Sequence, residues 1–213
     1  FVPKALEHQF IKALCILYKK HFKQGVEGKN LTSIISPAHY QRLLGYLEQA
    51  QEQGAKITKP LEQNQQDGEK HRMGLHIITH VTDEMTLMQE ELFGPILPIM
   101  SYDKLEDVLN YIRLRDHPLA LYILGQDKQA QQYIIKQTLS GTVAVNDTLI
   151  QVAADDVPFG GVGHSGMGHY HGKEGFLTFS HAKNTLVSGS VNPRIGLLLK
   201  QNKLLIKVLK WLY

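Results

Sequence analysis

Ile96-Leu-Pro-Ile-Met100, Leu119-Ala-Leu-Tyr-Ile-Leu124 and Thr142-Val-Ala-Val145 are short apolar runs, and two segments of helical spacing separate them. The first helical segment carries Leu105, Val108, Leu109 and Ile112; the second carries Ala130, Ile134 and Ile135. Strand, helix, strand, helix, strand is the simplest order that satisfies both periodicities, and it places the chain in the α/β class. Crossovers of this kind are right-handed, and open α/β sheets bind ligands beyond the carboxyl ends of their strands. Asn146 and Asp147, directly after the third run, therefore stand where a site can form.

Upstream, Leu6, Phe10, Ala13, Leu14 and Leu17 recur at helical spacing and predict an amphipathic helix over 3–22. Ser36-Pro37 supplies an N-cap and a first-turn proline for a second helix, whose apolar face (Tyr40, Leu43, Leu44, Leu47, Ala50) stops near Gly54. Residues 59–72 are polar, Gln-rich and nearly free of apolar side chains, which predicts an exposed, mobile excursion. Downstream, Phe159 to Gly175 holds seven glycines among three histidines. Glycine at that density is unfavourable inside helices and strands, and it makes sense where backbone must turn at positive φ or pass close to a ligand. Phe159, Met167 and Tyr170 anchor the stretch, so it reads as an ordered loop rather than a linker.

The 213 residues, 43% of them hydrophobic and 20% charged, can bury one large or two small cores. A net charge of +3, with no basic block interleaved with aromatics before the C-terminus, argues against a nucleic-acid partner. The single cysteine, Cys15, excludes an internal disulfide framework and a Cys-based zinc cluster and suits a cytoplasmic setting. A first residue of Phe1 rather than Met, with no signal-peptide pattern, reads as a fragment or processed chain.

Gly161-Val-Gly-His-Ser-Gly166 matches G-x-G-x-x-G, but further glycines follow where a dinucleotide-binding motif opens its helix, so that reading fails. Ser165 misses the nucleophile elbow because Met167 stands at its last glycine position. His164, His169, His171 and His181 have no cysteine and no acidic residue at metal-ligand spacing, so no metal site is expected. His171 is the histidine expected to face a pocket. In Glu90-Glu-Leu-Phe-Gly-Pro95 a carboxylate stands two residues from a phenyl ring before a turn; vicinal hydroxyls and a flat heterocycle could use that pair, and an acidic helix end before a turn would look the same.

Together these segments resemble the aldehyde dehydrogenase family. The match runs through Phe1-Val-Pro-Lys4, Met88-Gln-Glu-Glu-Leu-Phe-Gly-Pro-Ile96, Pro118-Leu-Ala-Leu-Tyr122, Ala144-Val-Asn-Asp147, and Pro158-Phe-Gly-Gly161 to Phe179-Ser-His181. Tyr170-His-Gly-Lys173 and Phe176-Leu-Thr-Phe-Ser-His181 look most like the class 3 branch, acting on fatty and aromatic aldehydes, and the bacterial coniferyl aldehyde dehydrogenases. The resemblance implies oxidation of an aldehyde to a carboxylic acid through a cysteine adduct, with NAD or NADP as hydride acceptor and a glutamate as general base. By that resemblance Glu91 holds the nicotinamide ribose, Phe93 flanks the nicotinamide ring, Phe159 and His171 line the aldehyde pocket, and Asn146 is architectural. The family's nucleophilic cysteine, general-base glutamate and dinucleotide loop have no counterpart in these residues. Cys15 falls inside the first helix without a base, so no catalytic residue is assigned and the chain alone is expected to be inactive.

The expected architecture is thus the C-terminal part of a three-layer αβα catalytic domain over 1–175, an oligomerisation strand within 176–190 near Leu177 to Val187, and a basic amphipathic tail over 191–213. By resemblance the strand extends a neighbour's sheet in a homodimer. In the tail, Lys200, Lys203, Lys207 and Lys210 face one way while Leu199, Leu205, Ile206, Leu209 and Leu212 face the other, with Trp211 and Tyr213 at the end. Such a helix fits either peripheral contact with anionic lipid or docking on its own dimer. A non-catalytic scaffold or membrane-associated partner with the same fold is the alternative reading. The expected site rests on one spatial claim, that Glu91–Phe93 and the glycine stretch form two walls of a shared pocket.

Overall fold

A computed structural model of the protein describes residues 1–63, 65–190, 196 and 203–212. Val2–Pro3 (β1) runs through a tight turn into helix α1, Glu7–His21, inside the span expected for it. Helix α2, Pro37–Glu52, begins as its sequence implies: the Ser36 hydroxyl accepts the His39 N–H at 3.2 Å. Gly54, at φ 93°, then lets the chain leave the helix into β2, Lys56–Thr58.

The polar stretch after β2 departs from the expected open excursion. It folds back as an antiparallel hairpin, β3 (Gln66–Asp67) with β4 (Arg72–Met73), and Gln65 is buried beneath it, its amide donating to the Leu61 carbonyl at 2.8 Å. Next comes a strand with no expectation attached, β5 (His76–Thr79), then the short helix α3 (Thr86–Gln89) and β6 (Ile96–Pro98). Every residue of β5 is buried. Ile78 packs with Leu43, Leu47 and Ala50 of α2, and Ile77 packs with Val2, Ile99, Leu14 and Cys15 on the α1 side. Helix, sheet and helix thus make the three expected layers, and Cys15 is a packing thiol within one of them.

β5 pairs in parallel with β6 and antiparallel with β2. β7 (Ser101–Tyr102) pairs in parallel with β1, and α4 (Leu105–Arg113) follows. β8 (Ala120–Ile123), α5 (Lys128–Gln137) and β9 (Thr142–Val145) complete the alternation, with β8 and β9 parallel. The α/β class and its strand–helix order are as the sequence implies.

The end of the chain differs from expectation. Helix α6, Gly172–Thr178, runs across the boundary expected at 175 and takes in Leu177. Residues 179–190 form no strand ladder, and Leu186 and Val187 are exposed. A strand that would complete another molecule's sheet has no backbone partner in its own chain, so no ladder defines it. Helix α7, Lys203–Leu212, carries exposed Lys203, Lys207, Lys210 and Trp211; Leu199, Lys200 and Tyr213 lie outside the described residues. Among the described residues no helix is long and apolar enough to cross a membrane.

Candidate functional site

Glu91 and Phe93 lie in the turn between α3 and β6. Phe93 takes φ 47°, in the left-handed region that β-carbon crowding makes unfavourable, and its ring is 76% exposed. A side chain of α2 holds this backbone. Arg42 Nη1 donates to the Glu91 carbonyl and Nη2 to the Leu92 carbonyl, each at 3.0 Å. Both bonds carry the guanidinium charge, and their fork geometry fixes two successive peptides. Phe93, Gly94 and Pro95 form one wall of a cavity of about 610 Å³; Leu31 to Ile35, with His39, form the other. An exposed phenyl ring at the mouth of a largely apolar cavity, two residues from a free carboxylate, fits a flat ring joined to a hydroxylated sugar.

The glycine stretch is an ordered loop. Phe159 and Tyr170 exchange backbone hydrogen bonds of 2.9 and 3.0 Å and close it. Inside, a β-carbon on Gly160 would lie 2.1 Å from the Gly168 carbonyl oxygen, and one on Gly161 would lie 2.1 Å from that of Ser165. The Ser165 hydroxyl accepts the Val162 N–H at 2.9 Å and donates to the Val162 carbonyl at 3.0 Å, so it is a turn fastener. Phe159 meets Tyr170 edge-on at 5.6 Å, and Tyr170 meets His171 edge-on at 4.3 Å. His171 stands at φ 72° before α6, its buried Nδ1 without a partner, and lines a cavity of about 490 Å³ with Phe176 and Phe179. His171 thus stands among the aromatic rings that line this cavity.

Phe159 and His171 therefore come together, through Tyr170. Glu91 and Phe93 stand elsewhere in the fold: the cavity beside Phe93 and the one beside His171 share no residue. The reason is topological. The Glu91–Phe93 turn leads into β6, which pairs with β5, whereas the glycine loop follows β9, which pairs with β8. Asn146 is architectural as expected: at φ 55° its side-chain oxygen accepts the Gly125 N–H at 2.8 Å.

The histidines have separate fates. His164 Nδ1 lies 2.7 Å from an Asp116 carboxylate oxygen, and that hydrogen bond and charge hold its pKa above the ordinary value. Among the described residues no three His, Cys, Asp or Glu side chains assemble as a metal site. Sequence reasoning gave Arg42 no role and took Tyr170 only as a loop anchor. Arg42 sits one residue before the apolar position Leu43 and off the apolar stripe of α2, and its partners lie 49 and 50 residues away, so no local signal pointed to it.

The sequence pattern of the aldehyde dehydrogenase family matches residues 1–185. A probable coniferyl aldehyde dehydrogenase of Pseudomonas aeruginosa is 46% identical over 182 residues, which cover 85% of this chain and 37% of that protein. A dimeric, NADP-preferring aldehyde dehydrogenase of Bos taurus is 34% identical over 189 residues, covering 88% of this chain and 76% of the relative. The solved substrate-bound state of Staphylococcus aureus AldH superposes with a TM-score of 0.78 at 35% identity, covering 94% of this chain and 44% of that one. The chain thus spans well under half the length of the bacterial relatives it matches.

Proposed function

The chain belongs to the aldehyde dehydrogenase family, and from that premise we propose that the whole protein oxidises an aromatic or long-chain aldehyde to its carboxylic acid with NAD+ or NADP+. The observation that carries this reading is Phe93, held at φ 47° with its ring exposed beside the 610 Å³ cavity. Strained, exposed aromatics persist where surrounding contacts over-determine them for a purpose. The Glu91 carboxylate would accept hydrogen bonds from ribose hydroxyls, and Phe93 would cover one face of the nicotinamide, which supplies the hydride acceptor when bound. The Phe159–Tyr170–His171 wall would hold the aldehyde, its edge-on rings suited to a flat aromatic substrate and the His171 nitrogen to a polar substituent. These residues would bind and orient, and Cys15, partly buried against the core on α1, is given no catalytic role.

The P. aeruginosa relative's name supports an aromatic aldehyde, and the bovine relative's name supports a dimer, for which exposed Leu186 and Val187 supply apolar surface. The setting is cytoplasmic, with peripheral contact to anionic lipid through the lysines of α7. Salt-sensitive co-sedimentation with anionic liposomes, lost on deleting residues 195–213, tests that contact, and sedimentation unchanged by the deletion removes it. The central reading is tested in the full-length enzyme by Glu91→Gln. Loss of a charge-assisted hydrogen bond raises the coenzyme KM roughly 10-fold or more; unaltered coenzyme kinetics overturn the assignment.

A further inference from the structure

Gly28-Lys-Asn-Leu-Thr-Ser-Ile-Ile35 belongs to no helix or strand, yet Leu31 to Ile35 form the wall of the 610 Å³ cavity that faces Phe93. Backbone without a ladder of its own keeps its place through bonds to other parts of the fold. β4 and the turn before it supply them. The partly buried Arg72 guanidinium donates through Nη1 to the Val26 carbonyl at 2.9 Å and to the Gly28 carbonyl at 3.4 Å. His71, one residue earlier, accepts the Ile34 N–H on its carbonyl at 2.7 Å. Two consecutive residues thus hold the chain on both sides of Leu31, and Met73, the next in sequence, is buried and lines the same cavity.

The hairpin that carries this hold is itself fastened. The Asp67 carboxylate accepts the Lys70 N–H at 3.0 Å and pairs with the Lys70 ammonium at 3.4 Å. His71 stands at φ 49°, in the left-handed region, with its ring centroid 6.0 Å from that of buried Tyr40 on α2. A residue other than glycine persists there where its surroundings over-determine it. Hydrogen bonds from a guanidinium to neutral carbonyls are charge-assisted, the device by which Arg42 holds the opposite wall at the Glu91 and Leu92 carbonyls. Each wall of the cavity therefore hangs on one arginine, from α2 on the Phe93 side and from β4 on the Leu31–Ile35 side.

We propose that Arg72 is a positioning residue for the coenzyme, fixing the Leu31–Ile35 wall at its distance from Phe93 and thereby setting the affinity of the cavity. The inference rests on the reading of this cavity as the coenzyme grip. Arg72 is not among the residues that line the cavity, so it acts through the backbone it holds. Without its two bonds the wall is left with the Ile34 tie to His71, and molecules whose wall has shifted no longer bind. Apparent affinity falls in proportion to the fraction that keeps the competent wall.

The test uses the full-length protein carrying Arg72→Met or Arg72→Lys, beside Glu91→Gln and Val108→Ala, the last a cut at a buried position of α4 that does not line the cavity. In Arg72→Met without ligand, amide hydrogen exchange of residues 29–35 should quicken roughly 10-fold or more while the β5 amides keep parental protection. Its coenzyme Kd, read by fluorescence, should rise roughly 3- to 30-fold while the aldehyde KM at saturating coenzyme stays near the parental value. Arg72→Lys, whose single ammonium can reach one carbonyl, should fall between on both measures, and it carries the test alone if the Met variant does not fold. Val108→Ala should lower the unfolding midpoint and leave the coenzyme Kd within twofold. Unchanged exchange in residues 29–35, quickened exchange with a coenzyme Kd within twofold of the parent, or an equal rise of Kd in Val108→Ala overturns the role of Arg72. A raised Kd in Glu91→Gln beside any of these keeps the cavity assignment, whereas an unmoved Kd in Glu91→Gln removes assignment and inference together.

Discussion

Arg42→Met isolates what the α2 guanidinium does for the Phe93 turn. Methionine keeps an apolar stem near Tyr46, whose ring centroid lies 5.3 Å from the guanidinium carbon, and removes both donors to the Glu91 and Leu92 carbonyls. Hydrogen bonds from charged donors contribute about 1.5–3 kcal/mol each. One of these is exposed and the other part-buried, so the pair is assigned the lower end, about 2–3 kcal/mol in all. Holding Phe93 at φ 47° costs on the order of 1–3 kcal/mol. Clamp and strain are therefore comparable, and without the clamp the relaxed turn competes with the strained one. If the binding-competent turn falls to between about a third and a thirtieth of molecules, the coenzyme Kd rises roughly 3- to 30-fold, because apparent affinity scales with the competent fraction.

The assay is coenzyme binding by fluorescence on the full-length protein, beside urea unfolding of the same variant. The unfolding midpoint should fall and the coenzyme Kd should rise, while the aldehyde KM at saturating coenzyme stays near its parental value. Arg42→Lys, a single ammonium able to reach one carbonyl, should lie between. A Met variant that loses stability yet binds coenzyme within twofold of the parent would refute the reasoning, since the turn would then be holding Phe93 for some other reason.

A β-carbon added to Gly45, inside α2, would meet nothing within 4 Å, so Gly45→Ala should stabilise the protein by about 0.5–1 kcal/mol and raise the melting temperature. Gly160→Ala puts a methyl 2.1 Å from the Gly168 carbonyl oxygen and should cost about 1–3 kcal/mol, raising the aldehyde KM while leaving the coenzyme KM unchanged; a neutral effect on both would show that the loop is not built around that contact. His76 has a folded pKa below its ordinary 6.5, so unfolded chains take up a proton that the folded one refuses. Stability from this group is present above 6.5 and declines as pH falls toward the lowered folded value, a slope that His76→Gln should flatten in denaturant titrations. His164 has the opposite sign: its folded pKa is raised by Asp116, so the pair contributes below 6.5 and is lost as pH rises through the folded value, and Asp116→Asn should bring the His164 NMR titration midpoint back toward 6.5.

Periodicity carried the fold far. The Leu105–Arg113 and Lys128–Gln137 helices, the runs that flank them and the Ser36-Pro37 start of α2 were legible because each depends on near neighbours in the chain. β5 was not. His76-Ile-Ile-Thr79 is buried on both faces, so it shows no alternation, and four residues are too few to separate a strand from any other apolar run. The Gln65 region failed for a related reason: a polar composition suggests solvent, but an amide that finds a carbonyl at 2.8 Å can be buried.

At the candidate site the same distinction holds. The glycine loop could be anticipated because its shape is written in its own residues, and the Phe159–Tyr170 closure spans only that loop. The reach of Arg42 to the Glu91 and Leu92 carbonyls could not, since it depends on how α2 docks beside a turn some fifty residues on. The turn with Glu91 and Phe93 enters at the amino end of β6, and the glycine loop leaves from the carboxyl side of β9. β5–β6 and β8–β9 are separate ladders, and a groove of about 750 Å³ lies between them, lined by Leu97 and Pro98 on one side and Tyr122 and Leu124 on the other. No shared backbone ladder ties the two pairs of strands, so the near-neighbour patterns of the sequence could not set where the Glu91–Phe93 turn and the glycine loop lie relative to each other.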